Sequence, residues 1–298
     1  MQWSYSASRN FQQCQRRWYF QSIMSNSRPN AKDKIRREAF FLSQLQSIDA
    51  WRGSVVDTVI EKYIILPLNN KRRIVEQNIL TKAKKIFNAQ LKFAKDFRSR
   101  EIGMTKGNGG EHYAALFDLE YGLGTENEKL EQAWSDVKTA ICNLLNDEEL
   151  MDYHTSADYL LAQRRLVLTQ DDYSVTAVPD LIAFYHNHPP VIMDWKVHAE
   201  GQRDYWMQLA SYAVVLTQIK PHRDFAAFQL DSYQPSDIKL AEVQLLIPEI
   251  RWYTLTENDT EETEYYIEST ANNMLMALGD EGNDVLRPLD FRTTLQPQ

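Results

Sequence analysis

The stretch VPDLIAFYHNHPPVIMDWKV, residues 178–197, decides the fold. Two apolar runs flank a polar turn that ends in two prolines. HNHPP is short and breaks any helix, so the stretch predicts a β-hairpin. Its charges stand at the rims: Asp180 in the first run, Asp194 and Lys196 at the end of the second. Residues two apart on a strand share a face, so Asp194 and Lys196 point the same way. On adjacent strands, Asp180 and Asp194 can lie side by side. Two carboxylates that close repel each other unless a cation lies between them. All-oxygen ligation of that kind suits Mg²⁺ or Mn²⁺, which keep several waters and bind phosphate alongside. A lysine ammonium there can orient or deprotonate a water, or offset charge on a phosphoryl transition state. The competing reading of the same charges is an ordinary salt bridge at the end of a hairpin.

The triplet DWK does not decide between them. Asp-x-Lys occurs three times, at Asp136/Lys138, Asp194/Lys196 and Asp237/Lys239. Only the middle one follows a strand-like apolar run, has Pro179-Asp180 upstream and has QLASY, Gln208 to Tyr212, downstream. At i, i+4 on a helix, Gln208 and Tyr212 project from one face and can steer the lysine or hold a backbone phosphate.

Outward from the hairpin, YLLAQRRLVLT (159–169) and DYSVTAVPDLIAFY (172–185) precede PVIMDWKV (190–197), which predicts a three-stranded meander. Helical spacing follows over 203–219. Strands are expected at 224–230, 241–247 and 250–256, and an acidic helix over 259–278. The first 150 residues read as helical. Ser6 or Ser8 caps a first helix with Phe11, Cys14 and Trp18 as its stripe, and Arg16 and Arg17 lie off that stripe. A second helix covers 35–66, with Asp57 and Glu61 one turn apart on one face and Pro67 as its stop. A basic helical segment spans 71–99, and a further helix lies around 127–150. GMTKGNGGEH (103–112) matches neither GxxxxGK[ST] nor GxGxxG and reads as a flexible loop, not a phosphate cradle. The order predicts a mixed α/β fold with an antiparallel-rich sheet.

With 298 residues, 43% of them hydrophobic, the chain can bury a real core. There is no run of 18 apolar residues for a membrane span, and the N-terminal stretch lacks the apolar core of a signal peptide. Cys14 and Cys142 make neither a disulfide framework nor a CxxC knuckle. A cytoplasmic protein is the default expectation. The net charge of −8 hides an asymmetry: residues 1–110 sum to +13 and the remainder to −21. That points to a polyanion-binding face on one part, against the plainer pairing of basic with acidic helices. Arg16, Arg17, Arg164 and Arg165 are candidates to line a groove for phosphates. Most of the seven tryptophans read as core, although some aromatics could stack on unpaired bases. His186 and His188 in the turn read as a solvated loop rather than a transition-metal site.

Together, Pro179-Asp180, Asp194-Trp195-Lys196 and Gln208-x-x-x-Tyr212 resemble the PD-(D/E)xK nuclease superfamily, and within it the RecB-type branch that carries QxxxY. SYSASRNFQQCQRRWYF (4–20) is similar to that branch's N-terminal helix, and RGSVVDTVIE (52–61) to its G-[ST]-x-x-H helix. The resemblance implies a restriction-endonuclease-like α/β core, a mixed sheet flanked by helices. It also implies a single nuclease domain over 1–298 with a helical insertion at 67–150 and the catalytic motifs within 158–219. It implies a Mg²⁺- or Mn²⁺-dependent deoxyribonuclease, acting in DNA repair, recombination or defence against foreign DNA beside a helicase or other partner protein, with no membrane role. Asp180 and Asp194 would hold the metal, with Asp57 and the Trp195 carbonyl as further ligands. Lys196 would serve the attacking water or the transition-state charge, and Gln208 and Tyr212 would place the scissile phosphate.

Two departures stand out. The branch usually has a histidine where this chain has Asp57, and a third carboxylate would favour a hard cation. Iron–sulfur members place one cysteine in the N-terminal helix and three near the C-terminus. Cys14 matches the first, nothing after Cys142 supplies the others, and no cluster is expected. The ending PLDFRTTLQPQ resembles the segment that precedes those cysteines. These departures leave a second class open: a nucleic-acid-binding assembly subunit that keeps the fold and cuts weakly or not at all.

Overall fold

The structure, a computed structural model, describes residues 1–26, 30–97, 105–124, 126–197, 206–220, 222–228 and 230–279. Its strands are β1 (Gln2–Trp3), β2 (Tyr159–Ala162), β3 (Leu166–Thr169), β4 (Ser174–Ala177), β5 (Leu181–Phe184), β6 (Val191–Lys196), β7 (Lys239–Gln244) and β8 (Glu249–Tyr253). The helices that matter for the site are α1 (Tyr5–Gln13), α2 (Gln15–Trp18), α3 (Lys34–Gln44), α4 (Ile48–Ile60), α5 (Leu66–Asn69) and α6 (Glu76–Asp96). They continue as α7 (Lys106–Gly109), α8 (Phe117–Glu120), α9 (Asn127–Asn146), α10 (Glu148–Ser156), α11 (Trp206–Gln218) and α12 (Glu257–Leu278). No helix among the described residues is long and apolar enough to cross a membrane.

The predicted hairpin forms, with Leu181 opposite Met193 and Ala183 opposite Val191. It is the centre of a five-stranded sheet in the order β2-β5-β6-β7-β8. β6 and β7 run parallel, and the other neighbours are antiparallel. A parallel pair needs a long crossover, and α11 lies within it. β1, β4 and β3 make a separate small sheet. Helices thus flank a mixed sheet, the α/β arrangement of a restriction-endonuclease-like core.

Alternation along β6 sorts the core. Val191, Met193 and Trp195 join α4, α6 and α9 in one apolar cluster. Ile192 faces the other way, into a cluster with α11 and α12. Asp194 and Lys196 follow Ile192 by the same period of two, so they lie on the α11 side. Residues 209–216 of α11 are buried all round, as expected of a helix packed on every face.

Several expectations are corrected. The three-stranded meander forms, but its first two strands are bent and shared by two sheets: β2 pairs with β5, β3 with β4, and β5 with β6. The bend falls at 163–165 and 178–180. Pro179 has no N–H for a ladder, and Gln163 turns the facing strand with a φ of 50°. Asp180 therefore stands at the corner just before β5 and not within a strand. The predicted strand at 224–230 is a pair of 3-10 turns, Ala226–Phe228 and Leu230–Ser232. Phe225 and Phe228, three apart, both stack on Phe184, at 5.4 and 5.0 Å, which suits a turn and not an alternating strand.

The N-terminal helix is capped by Ser4, whose side chain accepts from the Ala7 N–H, and not by Ser6 or Ser8. Ser8 is buried and shares a hydrogen bond with the Tyr266 hydroxyl. The helix breaks at Cys14, whose backbone is extended and caps α2. The helix expected over 35–66 is two, because Ser47 caps a fresh start at α4. Pro67 does not stop it: α4 passes through a π-helical turn at Glu61–Ile65 into α5. That widened turn, like the first turn of a helix, has room for a residue without an N–H. The helix expected around 127–150 is likewise two, α9 and α10, divided at Asp147, which caps the second. The glycine-rich stretch holds α7 and a 3-10 turn, Gly110–His112, with Gly110 at a φ of 57°. Residues 98–104, 198–205 and 280–298 lie outside the described residues. They include the first residues of the expected helix 203–219, Tyr205, and the ending PLDFRTTLQPQ.

A buried ion pair locks α4 to the sheet. Arg52 binds the Asp136 carboxylate of α9 through one amino group and the Val197 carbonyl through the other, the latter at 2.7 Å. Asp136, in the first of the three Asp-x-Lys triplets, is thus a structural partner. Removing one partner of such a pair strands a buried charge. Asp136→Ala should therefore cost about 3–5 kcal/mol in guanidinium unfolding, and the apolar double variant Arg52→Met with Asp136→Leu should cost less than the single one. A loss under about 1 kcal/mol for the single variant would show that the pair does not hold the fold.

Candidate active site

The site forms where β5 ends and β6 continues. Leu181 opposite Met193 is the last ladder pair at that end, so the next residues in register are Asp180 and Asp194. Beyond that point, among the described residues, β5 offers the Trp195 N–H no ladder partner. Asp180 takes the place of one: its Oδ2 accepts from Trp195 N at 2.8 Å, and its Oδ1 accepts from Gln163 Nε2 at 2.7 Å. The Trp195 carbonyl shares an edge with its N–H and faces the same gap.

Asp194 is only 3% exposed. One of its oxygens binds the Lys196 ammonium, which lies two residues along on the same face. The salt-bridge reading and the site reading are therefore not exclusive here. Asp57 comes from α4. Burial, then the charge of Asp194, raises its pKa to about 7, against the opposing charges of Lys106 and Lys196. Asp180 is raised well above the usual carboxylate range by burial first, then by Asp194 and Asp57, while the Trp195 N–H and Lys196 oppose the shift. Three carboxylates from three separate elements thus repel one another at a single strand end, the electrostatic situation a cation relieves.

Gln208 and Tyr212 sit one turn apart on α11, as their spacing predicts, and Gln208 Nε2 donates to the Tyr212 hydroxyl at 2.5 Å. Burial, then Asp194, raises the Tyr212 pKa, so its phenol stays protonated. Both residues line a cavity of about 370 Å³ that also holds Ser4, Ser6 and Arg165. The two arginines of the strand bend part company. Arg165 reaches this cavity, whereas Arg164 is taken by Asp224, at 3.3 Å, and by the His222 ring. Arg16 is half-buried and Arg17 exposed on α2, and neither lines that cavity. His186 stacks on Phe228 at 4.9 Å and His188 packs against Tyr185 at 3.9 Å.

Sequence reasoning missed four contributors. Gln163 holds Asp180, and no sequence signal marks it. Arg52 ties the chain just past Lys196 to α4. Lys106, within the glycine-rich stretch, brings a positive charge to Asp57. Glu242 is the register partner of Asp194 on β7 and is wholly buried. It is held by Gln244 Nε2 at 2.7 Å and Arg251 at 3.5 Å. A lone charge inside the apolar run LAEVQLL was a signal for it.

In kind, the donor set fits a hard divalent cation: aspartate carboxylates beside a strand-end carbonyl. As they stand, no three His, Cys, Asp or Glu side chains among the described residues lie close enough to enclose one.

A solved structure described as a "Putative exonuclease" from Eubacterium rectale is similar to this chain at 14% identity and a TM-score of 0.34, covering 80% of this chain and 82% of that one. Likeness at that level carries no argument about function. No curated protein matches. The family model of the PD-(D/E)XK nuclease superfamily matches residues 2–282, which include every residue of the strand-end cluster, and the chain belongs to that superfamily.

Proposed function

We propose that the chain is a Mg²⁺- or Mn²⁺-dependent deoxyribonuclease of the RecB-type branch, hydrolysing phosphodiester bonds of DNA. The observation that carries this reading is the convergence of Asp57, Asp180 and Asp194 beside Lys196, with the first two raised by burial and then by the charge of the third. Nucleases of this superfamily generally use divalent metals. Asp180 and Asp194 would hold the ion, with Asp57 as third carboxylate and the Trp195 carbonyl as a further ligand. When bound, such an ion supplies Lewis-acid stabilisation of phosphoryl charge and lowers the pKa of a coordinated water.

The chain's own residues do the rest. Lys196 orients the attacking water and offsets the charge that grows on the phosphate oxygens. Tyr212, neutral and already accepting from Gln208, has its hydroxyl proton to donate to the scissile phosphate. Arg165, in the same cavity, neutralises a neighbouring phosphate of the strand. The helices between 67 and 150 are read as an insertion into a single nuclease domain. The cellular role is read as DNA repair, recombination or defence beside a partner protein such as a helicase.

A second reading is binding without cleavage, by a subunit that keeps the fold. It is favoured by the lack, among the described residues, of three carboxylates close enough to enclose an ion. One assay separates the two. Labelled linear DNA should be cut with Mg²⁺ or Mn²⁺ present, and Asp194→Ala should lower the rate at least about 1,000-fold with its circular dichroism unchanged. Full cleavage by that variant would sink the mechanism. Salt-dependent binding with no product under any divalent ion would establish the subunit reading.

Asp57 is tested separately. Asp57→Asn should raise the Mg²⁺ concentration for half-maximal cleavage by about 10-fold or more, because it removes a charged ligand and leaves the shape. An unchanged Mg²⁺ dependence would remove Asp57 from the ligand set.

A further inference from the structure

A second cavity, of about 490 Å³, lies on the other face of the sheet. Just past α5, Lys71 takes a left-handed φ of 53° and turns the chain. Lys71, Arg72 and Arg73 then follow one another along the cavity rim. All three are exposed, and none pairs with a carboxylate among the described residues. Three adjacent cations without a paired carboxylate among the described residues give that rim a positive potential, which attracts anions. The walls behind them are apolar, with Met151 and Leu160 among them.

His154 of α10 lines the inner wall and is 1% exposed. Neither its Nδ1 nor its Nε2 has a hydrogen-bond partner among the described residues. An imidazole carries two ring nitrogens that can take part in hydrogen bonds. Buried polar atoms left unpaired are costly and rare, so such a ring calls for an explanation. The ring also packs edge-on against Trp195 at 6.2 Å, on the face of β6 opposite Asp194 and Lys196. The cavity is therefore separate from the strand-end site.

We propose that this cavity binds a nucleotide, with its phosphate at Lys71, Arg72 and Arg73, its base against the Met151 and Leu160 wall, and its polar edge on His154. The volume is in the range of small-molecule sites. Inorganic phosphate would meet the cations and leave the apolar wall and His154 unused. An acyl phosphate would cover the wall and leave His154 unpaired. A heterocycle with a phosphate satisfies all three.

The test is calorimetric titration of the full chain without divalent metal, using AMP, adenosine, inorganic phosphate and a 5′-phosphorylated dinucleotide. AMP should bind, and adenosine and phosphate should each bind at least about 10-fold more weakly. The surface double variant Arg72→Ala with Arg73→Ala should weaken AMP by at least about 10-fold. His154→Phe, apolar and of similar shape, should weaken it comparably without lowering the melting temperature. Asp194→Asn should leave binding unchanged, so this result and the cleavage result stand or fall apart. Tighter binding of AMP assigns the site to a free nucleotide, and tighter binding of the dinucleotide assigns it to a strand end; either upholds the site. No heat up to about 1 mM of either nucleotide, or AMP binding indifferent to the Arg72/Arg73 change, overturns it.

Discussion

The carboxylate of Asp180 accepts two hydrogen bonds at the corner where one hairpin passes from one sheet into another. One comes from the backbone of β6, where β5 has run out, and the other from Gln163 across the bend. Much of the molecule is arranged around that corner. Pro179 breaks the ladder just before it, which sends β3 and β4 to the small sheet and leaves β2 and β5 in the large one. The same break frees the strand edge at Trp195. Without a ladder partner on that side, β6 can carry Asp194 and Lys196 past the end of its neighbour and present them to a gap rather than to another strand.

Filling that gap with acidic groups is unfavourable, and the surroundings bear the cost in different ways. Lys196 neutralises Asp194 directly. Asp180 draws on a backbone N–H and an amide. Asp57 feels the positive charges of Lys106 and Lys196, yet burial and then Asp194 raise its pKa to about 7. Such a set is stable enough to fold and still short of positive charge. The scaffold that holds it is itself polar. Arg52, buried between α4 and α9, reaches the carbonyl of Val197, so the helix that supplies Asp57 and the strand that supplies Asp194 are pinned by one guanidinium.

Much of the frame was legible from local pattern. The alternating apolar residues of 181–184 and 191–196, parted by HNHPP, specify a hairpin whatever surrounds them. Their register, once paired, places Asp180 opposite Asp194. Gln208 and Tyr212 share a helix face because they are four apart. What misled was also local. A long strand over 159–169 looked continuous because its break is a φ at Gln163, a residue with no special liking for that conformation. The run around Phe225 looked like a strand because its apolar residues are real core, stacked on Phe184 from a turn. Pro67 looked like a stop because the widened helical turn before it is a property of hydrogen-bond register and not of composition.

The sequence by itself determined the mixed α/β class, the central hairpin, and the facing of Asp194 with Lys196 and of Asp180 with Asp194. Each follows from periods of two or of 3.6 and from residues that lack a donor. Only the tertiary structure decided that Asp57 feels the charge of Asp194, that Lys106 and Glu242 stand close by, and that Arg165 joins Gln208 and Tyr212 while Arg164 is occupied elsewhere. It alone placed Lys71, Arg72 and Arg73, which pair with no carboxylate among the described residues, around one cavity with His154. These groups are brought together by packing between elements tens to hundreds of residues apart. No periodicity encodes the distance between two helices, and burial, which sets the charge state of these groups, exists only once the chain has closed on itself.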